Sequence, residues 1–198
     1  MIYPNIDNLL RRYKLVLASG SPRRVGILRN CGIPFRQITP DIEENNNSEL
    51  NPSQLAIILA EQKAKAVRNL INDKEIALGC DTIVILHGKV LGKPVSPTNA
   101  TEMLTALSGN MHTVCSAIAL LDARDRLFSD CELTDVYFHD VSLNEIINYV
   151  KSGEPLDKAG AYGIQELGGF LVDRIEGNID NVTGLPMTLL DKLAAKMA

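Results

Sequence analysis

The stretch that sets the fold class reads Lys14-Leu15-Val16-Leu17-Ala18-Ser19-Gly20-Ser21-Pro22-Arg23-Arg24. Its first six residues are mostly apolar, which is typical of a short buried strand. Ser21 is a candidate N-cap, and Pro22 stands at the first helical position, where its missing N–H has no cost. A strand that turns directly into a helix predicts an α/β protein.

Two arginines, Arg23 and Arg24, stand in the first turn of this predicted helix. Positive charge at a helix N-terminus opposes the helix dipole, so the pair is unfavourable for the helix alone. A bound polyanion would reverse that argument, because the unpaired N–H groups and the guanidinium groups both favour phosphate. The alternative interpretation is two solvated arginines beside a capped helix.

The remaining sequence continues the mixture of strands and helices. Apolar runs predict strands at residues 35–39, 76–86, 113–121, 127–138 and 170–175. Helix-start signals predict helices from Pro52 to about residue 70, from Pro97, from the capping box of Ser142 and Glu145, and from about Leu185. Because no internal repeat or change in composition marks a linker, we expect a single mixed α/β domain over residues 1–198.

The composition excludes several classes of protein. The chain has 198 residues, of which 45% are hydrophobic and 22% charged, and this excludes a disordered or fibrous class. The 20 Lys and Arg against 24 Asp and Glu give a net charge of −4, so we expect no nucleic acid polymer as a partner. No apolar run approaches the roughly 18 residues of a membrane span. The four widely spaced cysteines indicate free buried thiols in a reducing cytoplasm.

Asp81 interrupts the apolar run of residues 76–85. An isolated carboxylate that is buried without a partner costs several kcal/mol. Asp81 is therefore expected to be paired, bound to a metal, hydrogen-bonded or placed at a strand end that faces a cleft. A carboxylate that caps a nearby turn is the alternative, and we favour a functional role.

Two lysines are candidates for phosphate binding. Lys63 lies beside the apolar stripe of Leu55 and Leu59 on the helical wheel. Such a lysine either extends to water or points into a cleft as a phosphate ligand. Lys93 follows a predicted hairpin in Gly92-Lys93-Pro94. The alternative to phosphate binding is an ordinary turn lysine.

A glycine-rich segment at residues 153–165 supplies a further candidate. Its glycines suggest a loop that brings backbone close to a ligand. Its last residue, Gln165, carries an amide that offers both a donor and an acceptor, as recognition of a nucleobase edge requires. This pattern on its own is a weak signal.

Taken together, these segments resemble the Maf family. The motifs that carry the resemblance occur in the family's order and are Ser19-Gly20-Ser21-Pro22-Arg23-Arg24, Leu59-Ala60-Glu61-Gln62-Lys63-Ala64, Gly79-Cys80-Asp81-Thr82-Ile83-Val84, Gly92-Lys93-Pro94, Asp157-Lys158-Ala159-Gly160-Ala161-Tyr162-Gly163-Ile164-Gln165 and Asn181-Val182-Thr183-Gly184-Leu185-Pro186. The resemblance runs from about Lys14 to the C-terminus. It implies an elongated, twisted mixed sheet with flanking helices, similar to inosine-triphosphate pyrophosphatases, with two lobes around a central cleft. It also implies a cytoplasmic, homodimeric nucleoside triphosphate pyrophosphatase that depends on a divalent metal, Mg²⁺ or Mn²⁺.

The resemblance also assigns roles in catalysis. It implies that Asp81 is the proton acceptor and that Glu44 is its acidic partner at the metal. The adjacent Glu43 is the alternative for this second role. Lys63 and Lys93 would hold the triphosphate.

Substrate binding is implied for a second set of residues. Ser19 and the Arg23-Arg24 turn would contact the nucleotide, together with Thr82 and Gln165. The combination of Arg23, Thr82 and Gln165 resembles the branch that cleaves dTTP and UTP, with modified pyrimidine nucleotides as further substrates in a housecleaning role.

Two other functions remain open. The first is a nucleotide-binding regulator of septum formation, which would not need the proton acceptor Asp81. The second is a 7-methyl-GTP pyrophosphatase, and Gln165 argues against it.

Overall fold

The computed structural model describes residues 3–42 and 50–197. Its strands are β1 (Lys14–Ala18), β2 (Phe35–Ile38), β3 (Glu75–Leu86), β4 (Lys89–Leu91), β5 (Met111–Asp122), β6 (Leu127–Phe138) and β7 (Val172–Glu176). Its helices are α1 (Pro4–Leu10), α2 (Pro22–Asn30), α3 (Pro52–Ala66), α4 (Pro97–Leu107), α5 (Leu143–Lys151), α6 (Ile179–Thr183) and α7 (Met187–Met197). Short 3₁₀ turns follow α3 and occupy parts of residues 154–171.

The strands form a mixed sheet, as the sequence predicts. Among the described residues its order is β2-β1-β3-β5-β6-β7, with β4 paired to β3. Strand β1 runs parallel to both β2 and β3. Strands β4 and β7 run antiparallel to β3 and β6, respectively. The prediction of a mixed α/β fold is therefore confirmed.

The chain divides into two compact units. Among the described residues, the first unit contains 3–42, 50–81, 116–132 and 184–197. Its core consists of buried side chains from α1, β1, α2, β3, β5 and α7, including Leu17, Leu28, Leu78 and Met187. Within this unit Asp191 on α7 accepts hydrogen bonds from the backbone N–H groups of Asn5 and Ile6, and these bonds attach α1 to α7.

The second unit contains residues 82–115 and 133–183. Its core is built from α4, α5 and the adjoining ends of β3, β5 and β6. An aromatic cluster at its centre joins His112, Phe138 and Tyr162, whose rings meet edge to face at centroid distances of 4.8–5.3 Å. Strands β3, β5 and β6 each contribute residues to both units.

Several element ends differ from the sequence predictions. Helix α3 ends at Ala66 because the chain tightens into a 3₁₀ turn over Arg68–Leu70. Strand β7 begins at Val172, since the preceding residues also form a 3₁₀ turn. The capping box of Ser142 and Glu145 is confirmed at the start of α5. Helices α1 and α6 have too few residues to show an apolar period, and the sequence did not predict them.

The expectation that the thiols are buried is only partly correct. Cys80 and Cys115 are buried, whereas Cys131 is half-buried and Cys31 is exposed. Cys31 directly follows the last turn of α2, where the chain reaches the surface. No helix in residues 3–42 and 50–197 has the length and apolar character needed to cross a membrane.

Candidate functional site

The turn between β1 and α2 carries a buried serine and a buried arginine. Ser19 directly follows β1, and Arg24 lies in the first turn of α2 with only 9% of its surface exposed. The Arg24 Nη1 group donates to Ser19 Oγ at 3.0 Å, and its Nε donates to the carbonyl oxygen of Gly184 at 2.9 Å. Arg24 thus connects the β1–α2 turn to the segment that leads into α7.

The first helical turn itself differs slightly from the prediction. Helix α2 begins at Pro22, as expected, and Ser21 occupies the N-cap position. The Ser21 side chain makes no capping hydrogen bond, and the Ser21 N–H instead donates to Ser19 Oγ at 3.2 Å. Ser19 Oγ therefore receives both this backbone N–H and the Arg24 guanidinium. The neighbouring Arg23 is partly exposed, so the two arginines have different environments.

Asp81 and Lys63 form a buried ion pair. Lys63 Nζ lies 2.5 Å from Asp81 Oδ1, and the two residues are only 9% and 6% exposed. Asp81 is therefore paired, as the sequence indicated. Lys63 points inward to this carboxylate rather than extending to water.

A glycine on β3 allows this pair to form. A Cβ atom placed on Gly79 would collide with the carbonyl oxygen of Ala60 and would lie 2.7 Å from the backbone nitrogen of Ala64. The backbone of α3 therefore rests directly on β3 at this point. Because Lys63 precedes Ala64 on α3 and Asp81 lies two residues beyond Gly79, the close approach brings the ammonium to the carboxylate.

Strand register places Ser19 and Asp81 at the same edge of the first unit. Ala18, the last residue of β1, is paired with Gly79 of the parallel strand β3. Ser19 therefore leaves the end of β1, while Asp81 extends past that end on the neighbouring strand. Ligands of α/β sheets commonly bind beyond the carboxyl ends of parallel strands.

The pKa of Cys80, which lies between Gly79 and Asp81, is affected by the charged side chains at this edge. Burial raises the pKa of its thiol to about 11, while the positive charges of Arg24 and Lys63 oppose that rise and Asp81 adds to it. Both cations are therefore close enough to act on one buried atom. Cys80 itself stays a thiol at neutral pH and serves as core packing.

The second carboxylate oxygen of Asp81 is the feature that fits a cation. Asp81 Oδ2 is buried and has no hydrogen-bond partner within the described part of the chain. A carboxylate oxygen is a ligand suited to Mg²⁺ or Mn²⁺. The predicted partner Glu44, like Glu43, lies outside the described residues, and within the described ranges no group of three or more His, Cys, Asp or Glu forms a metal cluster.

The remaining predicted site residues belong to the second unit. Thr82 directly follows Asp81 in β3 and is partly exposed, while Lys93 and Gln165 are exposed. The N–H of Gly160 donates to the carbonyl oxygen of Gly92 at 3.0 Å. The structure therefore connects the Lys93 turn to the glycine-rich segment that ends at Gln165.

Some polar contacts of the site have no signature in the sequence. The side chain of Gln37 on β2 donates to the carbonyl oxygen of Ser19 at 2.8 Å, and Gly184 holds Arg24 through its own carbonyl oxygen. The motif that contains Gly184 was recognised, but a backbone carbonyl leaves no residue-type signal. The sequence also gives no signal for Tyr149 and Glu154, which accept hydrogen bonds from the backbone on the two sides of Gln165.

Comparisons with known proteins show what the chain is similar to in sequence and in fold. A family model described as Maf-like protein matches residues 14–197. A dTTP/UTP pyrophosphatase of Salmonella typhimurium is 48% identical over 174 residues, which cover 87% of each chain. One of Alkaliphilus oremlandii is 45% identical over 175 residues, covering 88% of this chain and 91% of the relative. The solved Ham1 protein of Staphylococcus aureus has a similar fold, with a TM-score of 0.52 at 16% identity over 93% of this chain and 100% of its own.

Proposed function

The chain belongs to the Maf-like protein family, and on this premise we propose that it is a dTTP/UTP pyrophosphatase. Such an enzyme hydrolyses the bond between the α- and β-phosphates and releases a nucleoside monophosphate and diphosphate. Relatives that are 43–48% identical over most of their length carry this name. The structural observation that carries the proposal is the buried Lys63–Asp81 pair beside Ser19 and Arg24.

Asp81 is the proton acceptor in this proposal. Lys63 lies 2.5 Å from Oδ1 and so fixes the orientation of the carboxylate that receives the proton of the attacking water. A base held in one orientation transfers the proton without first having to reorient.

The cations of the first unit stabilise phosphate charge. The Lys63 ammonium has three N–H donors, so contact with Asp81 is compatible with contact to phosphate oxygens. Arg24 is held by Ser19 and Gly184 and contributes a fixed positive charge beside the β1–α2 turn. Charges placed in advance around a phosphoryl group are the main source of catalysis in such reactions. We assign Arg23 and Lys93 to the same task on the basis of the family resemblance.

A divalent metal completes the proposal. Asp81, with Glu44, would hold Mg²⁺ or Mn²⁺, and the orphaned Oδ2 atom fits this role. Such a metal neutralises phosphate charge and lowers the pKa of a bound water. Thr82 and Gln165 are assigned to binding of the nucleoside.

The proposed setting follows from the family resemblance. We place the enzyme in the cytoplasm, as a homodimer, with a housecleaning role toward canonical or modified pyrimidine nucleotides. Size-exclusion chromatography with light scattering tests the dimer, and a mass near the 21.6 kDa of one chain would contradict it.

A nucleotide panel tests the activity. The protein is incubated with Mg²⁺ or Mn²⁺ and with dTTP, UTP, CTP, GTP or 7-methyl-GTP, and diphosphate release is measured. We expect dTTP and UTP to be cleaved with the highest kcat/KM. Preference for 7-methyl-GTP would contradict the assigned substrate class. Nucleotide binding without diphosphate release would indicate a regulator instead of an enzyme.

A further inference from the structure

The segment from Gly163 to Gly168 forms a small closed loop in the second unit. A Cβ atom on Gly168 would lie 2.8 Å from the carbonyl oxygen of Gly163 and would collide with Tyr149 Oη. The two ends of the loop therefore nearly touch, and a larger residue at Gly168 would separate them. Gln165 lies between these ends and is exposed.

One phenol and one carboxylate hold both ends of this loop, and we refer to them as the Tyr149–Glu154 frame. Tyr149 Oη donates to Glu154 Oε1 at 2.8 Å and accepts the Gly163 N–H at 3.1 Å. Glu154 accepts the N–H of Leu167 on Oε2 at 3.0 Å and that of Gly168 on Oε1 at 3.3 Å. The residues before and after Gln165 are thus fixed to the same pair of side chains.

The frame is itself firmly supported. Burial raises the pKa of the Tyr149 phenol well above its usual range, and the hydrogen bond to Glu154 raises it further. The phenol therefore stays protonated, donates to Glu154 and keeps its oxygen as the acceptor for Gly163. Lys158, only 5% exposed, donates to the carbonyl oxygen of Glu154 at 2.8 Å and lies 3.4 Å from the Glu166 carboxylate.

We propose that Tyr149 and Glu154 are positioning residues that fix the backbone on both sides of Gln165, the residue assigned to reading the pyrimidine base. This inference rests on the proposed function. Hydrogen-bond readout discriminates strongly only when donor and acceptor are fixed, because a mobile amide adapts to the wrong base. An exposed glutamine side chain has several rotatable bonds. Fixing its backbone therefore limits the positions that the amide can reach.

Two substitutions weaken the frame with little change in shape. Tyr149→Phe removes the acceptor of Gly163 and one donor to Glu154 but keeps the ring that packs against Phe170. Glu154→Gln keeps the size of the side chain but turns an NH₂ group toward a donor. The matched controls are Tyr137→Phe and Glu176→Gln, because Tyr137 and Glu176 form an exposed pair at 3.3 Å in the same unit.

Steady-state kinetics with UTP and CTP give the decisive readout. We expect Tyr149→Phe and Glu154→Gln to raise the KM for UTP and to lower the UTP/CTP ratio of kcat/KM by roughly tenfold, while kcat for UTP stays within about threefold of wild type. Both controls should retain the wild-type ratio. Amide hydrogen exchange without nucleotide should be faster across residues 163–168 in the two frame variants only.

The outcomes that contradict each proposal are distinguishable. A wild-type protein that cleaves neither dTTP nor UTP overturns the proposed function. A wild-type protein that cleaves UTP, with frame variants that keep its UTP/CTP ratio, overturns the positioning role alone. A fall in kcat with an unchanged ratio also overturns it, since that result assigns the frame to general stability.

Discussion

At the scale of single residues, the role of Asp81 depends on one buried ion pair. Its partner Lys63 is also buried, so the two charges compensate each other in a place where neither would be tolerated alone. The same contact fixes the carboxylate that we assign as proton acceptor. A substitution of Asp81 therefore affects both activity and stability. Comparing two different substitutions distinguishes the two effects.

The variants Asp81→Asn and Asp81→Ala are expected to lose activity equally but stability to different extents. Both variants lose the proton acceptor, so we expect kcat to fall by roughly 10³-fold in each. Asp81→Ala leaves the Lys63 ammonium without its carboxylate, whereas the amide oxygen introduced by Asp81→Asn can still accept a hydrogen bond. The free energy of unfolding should therefore be about 3 kcal/mol lower for Asp81→Ala than for wild type, with Asp81→Asn in between. Chemical denaturation and diphosphate release measure the two effects.

Asp125 supplies the matched control for this prediction. It pairs with Arg68 Nε at 2.7 Å in the same unit, but its side chain is 72% exposed. Exposed ion pairs contribute little, so Asp125→Asn should leave both activity and stability close to wild type. Near-wild-type turnover in either Asp81 variant would contradict the assignment of Asp81.

His112 makes stability depend on pH. It is 1% exposed, bonds Tyr162 Oη through Nε2 at 2.8 Å, and burial lowers its pKa from 6.5 to about 4 despite the opposing charge of Asp135. Between pH 4 and pH 6.5, His112 binds a proton in the unfolded chain but not in the folded chain. The contribution of His112 is therefore complete above pH 6.5 and is lost as the pH falls toward 4, by about 3 kcal/mol in total.

Urea denaturation between pH 4 and 7 tests this sign. The His112→Gln variant, which has no titrating ring, should show a flatter dependence of unfolding free energy on pH than wild type. His139→Gln is the control, because the His139 side chain is 54% exposed. The account is wrong if wild type and His112→Gln lose the same stability over this range.

At the scale of elements, the site depends on how closely α3 packs on β3. Gly79→Ala would place a methyl group against the carbonyl oxygen of Ala60, so the helix that carries Lys63 must move. We expect a loss of about 3 kcal/mol in stability and a fall in kcat, because the Lys63–Asp81 contact is disturbed. Denaturation and kinetics measure these two effects.

Gly26 on α2 is the control for this substitution. An added Cβ there meets no atom within 4 Å, and the residue lies inside a helix. Gly26→Ala should therefore raise the stability by about 0.5–1 kcal/mol and leave kcat unchanged. If Gly79→Ala had the same effects on stability and kcat as Gly26→Ala, the close packing of α3 on β3 would not be needed for the Lys63–Asp81 contact.

The same scale shows which parts of the site could be predicted from the sequence. Asp81 is recognisable because a charge in an apolar strand requires a partner. The helical wheel places Lys63 only beside the apolar stripe of α3, so the sequence leaves open whether its ammonium extends to water or points inward. The sequence did not distinguish the buried Arg24 from the partly exposed Arg23, since the two are adjacent and identical in type. The carbonyl oxygen of Gly184, which holds Arg24, is contributed by backbone 160 positions away. Such contacts depend on tertiary packing and leave no local pattern.

At the scale of the whole molecule, the net charge of −4 conceals how the positive charge is distributed. Arg24 and Lys63 are buried close to Cys80, where low polarity strengthens their effect on a bound anion. A compact polyphosphate can reach two cations at one edge of a sheet. A long nucleic acid would in addition be repelled by the net negative charge of the chain.

This distribution predicts which ligands stabilise the fold. We expect Asp81→Asn to bind UTP and to hydrolyse it only slowly, so in the presence of Mg²⁺ its unfolding free energy should rise by about 2.7 kcal/mol when UTP is at 100 times its Kd. For a chain of 198 residues this corresponds to an increase in Tm of about 5–10 °C. Uridine, which lacks phosphates, and an oligothymidylate should each raise Tm by much less in differential scanning fluorimetry. A shift from uridine equal to that from UTP would show that the buried cations do not bind the triphosphate, and a larger shift from the oligonucleotide would show that net charge does not exclude nucleic acid.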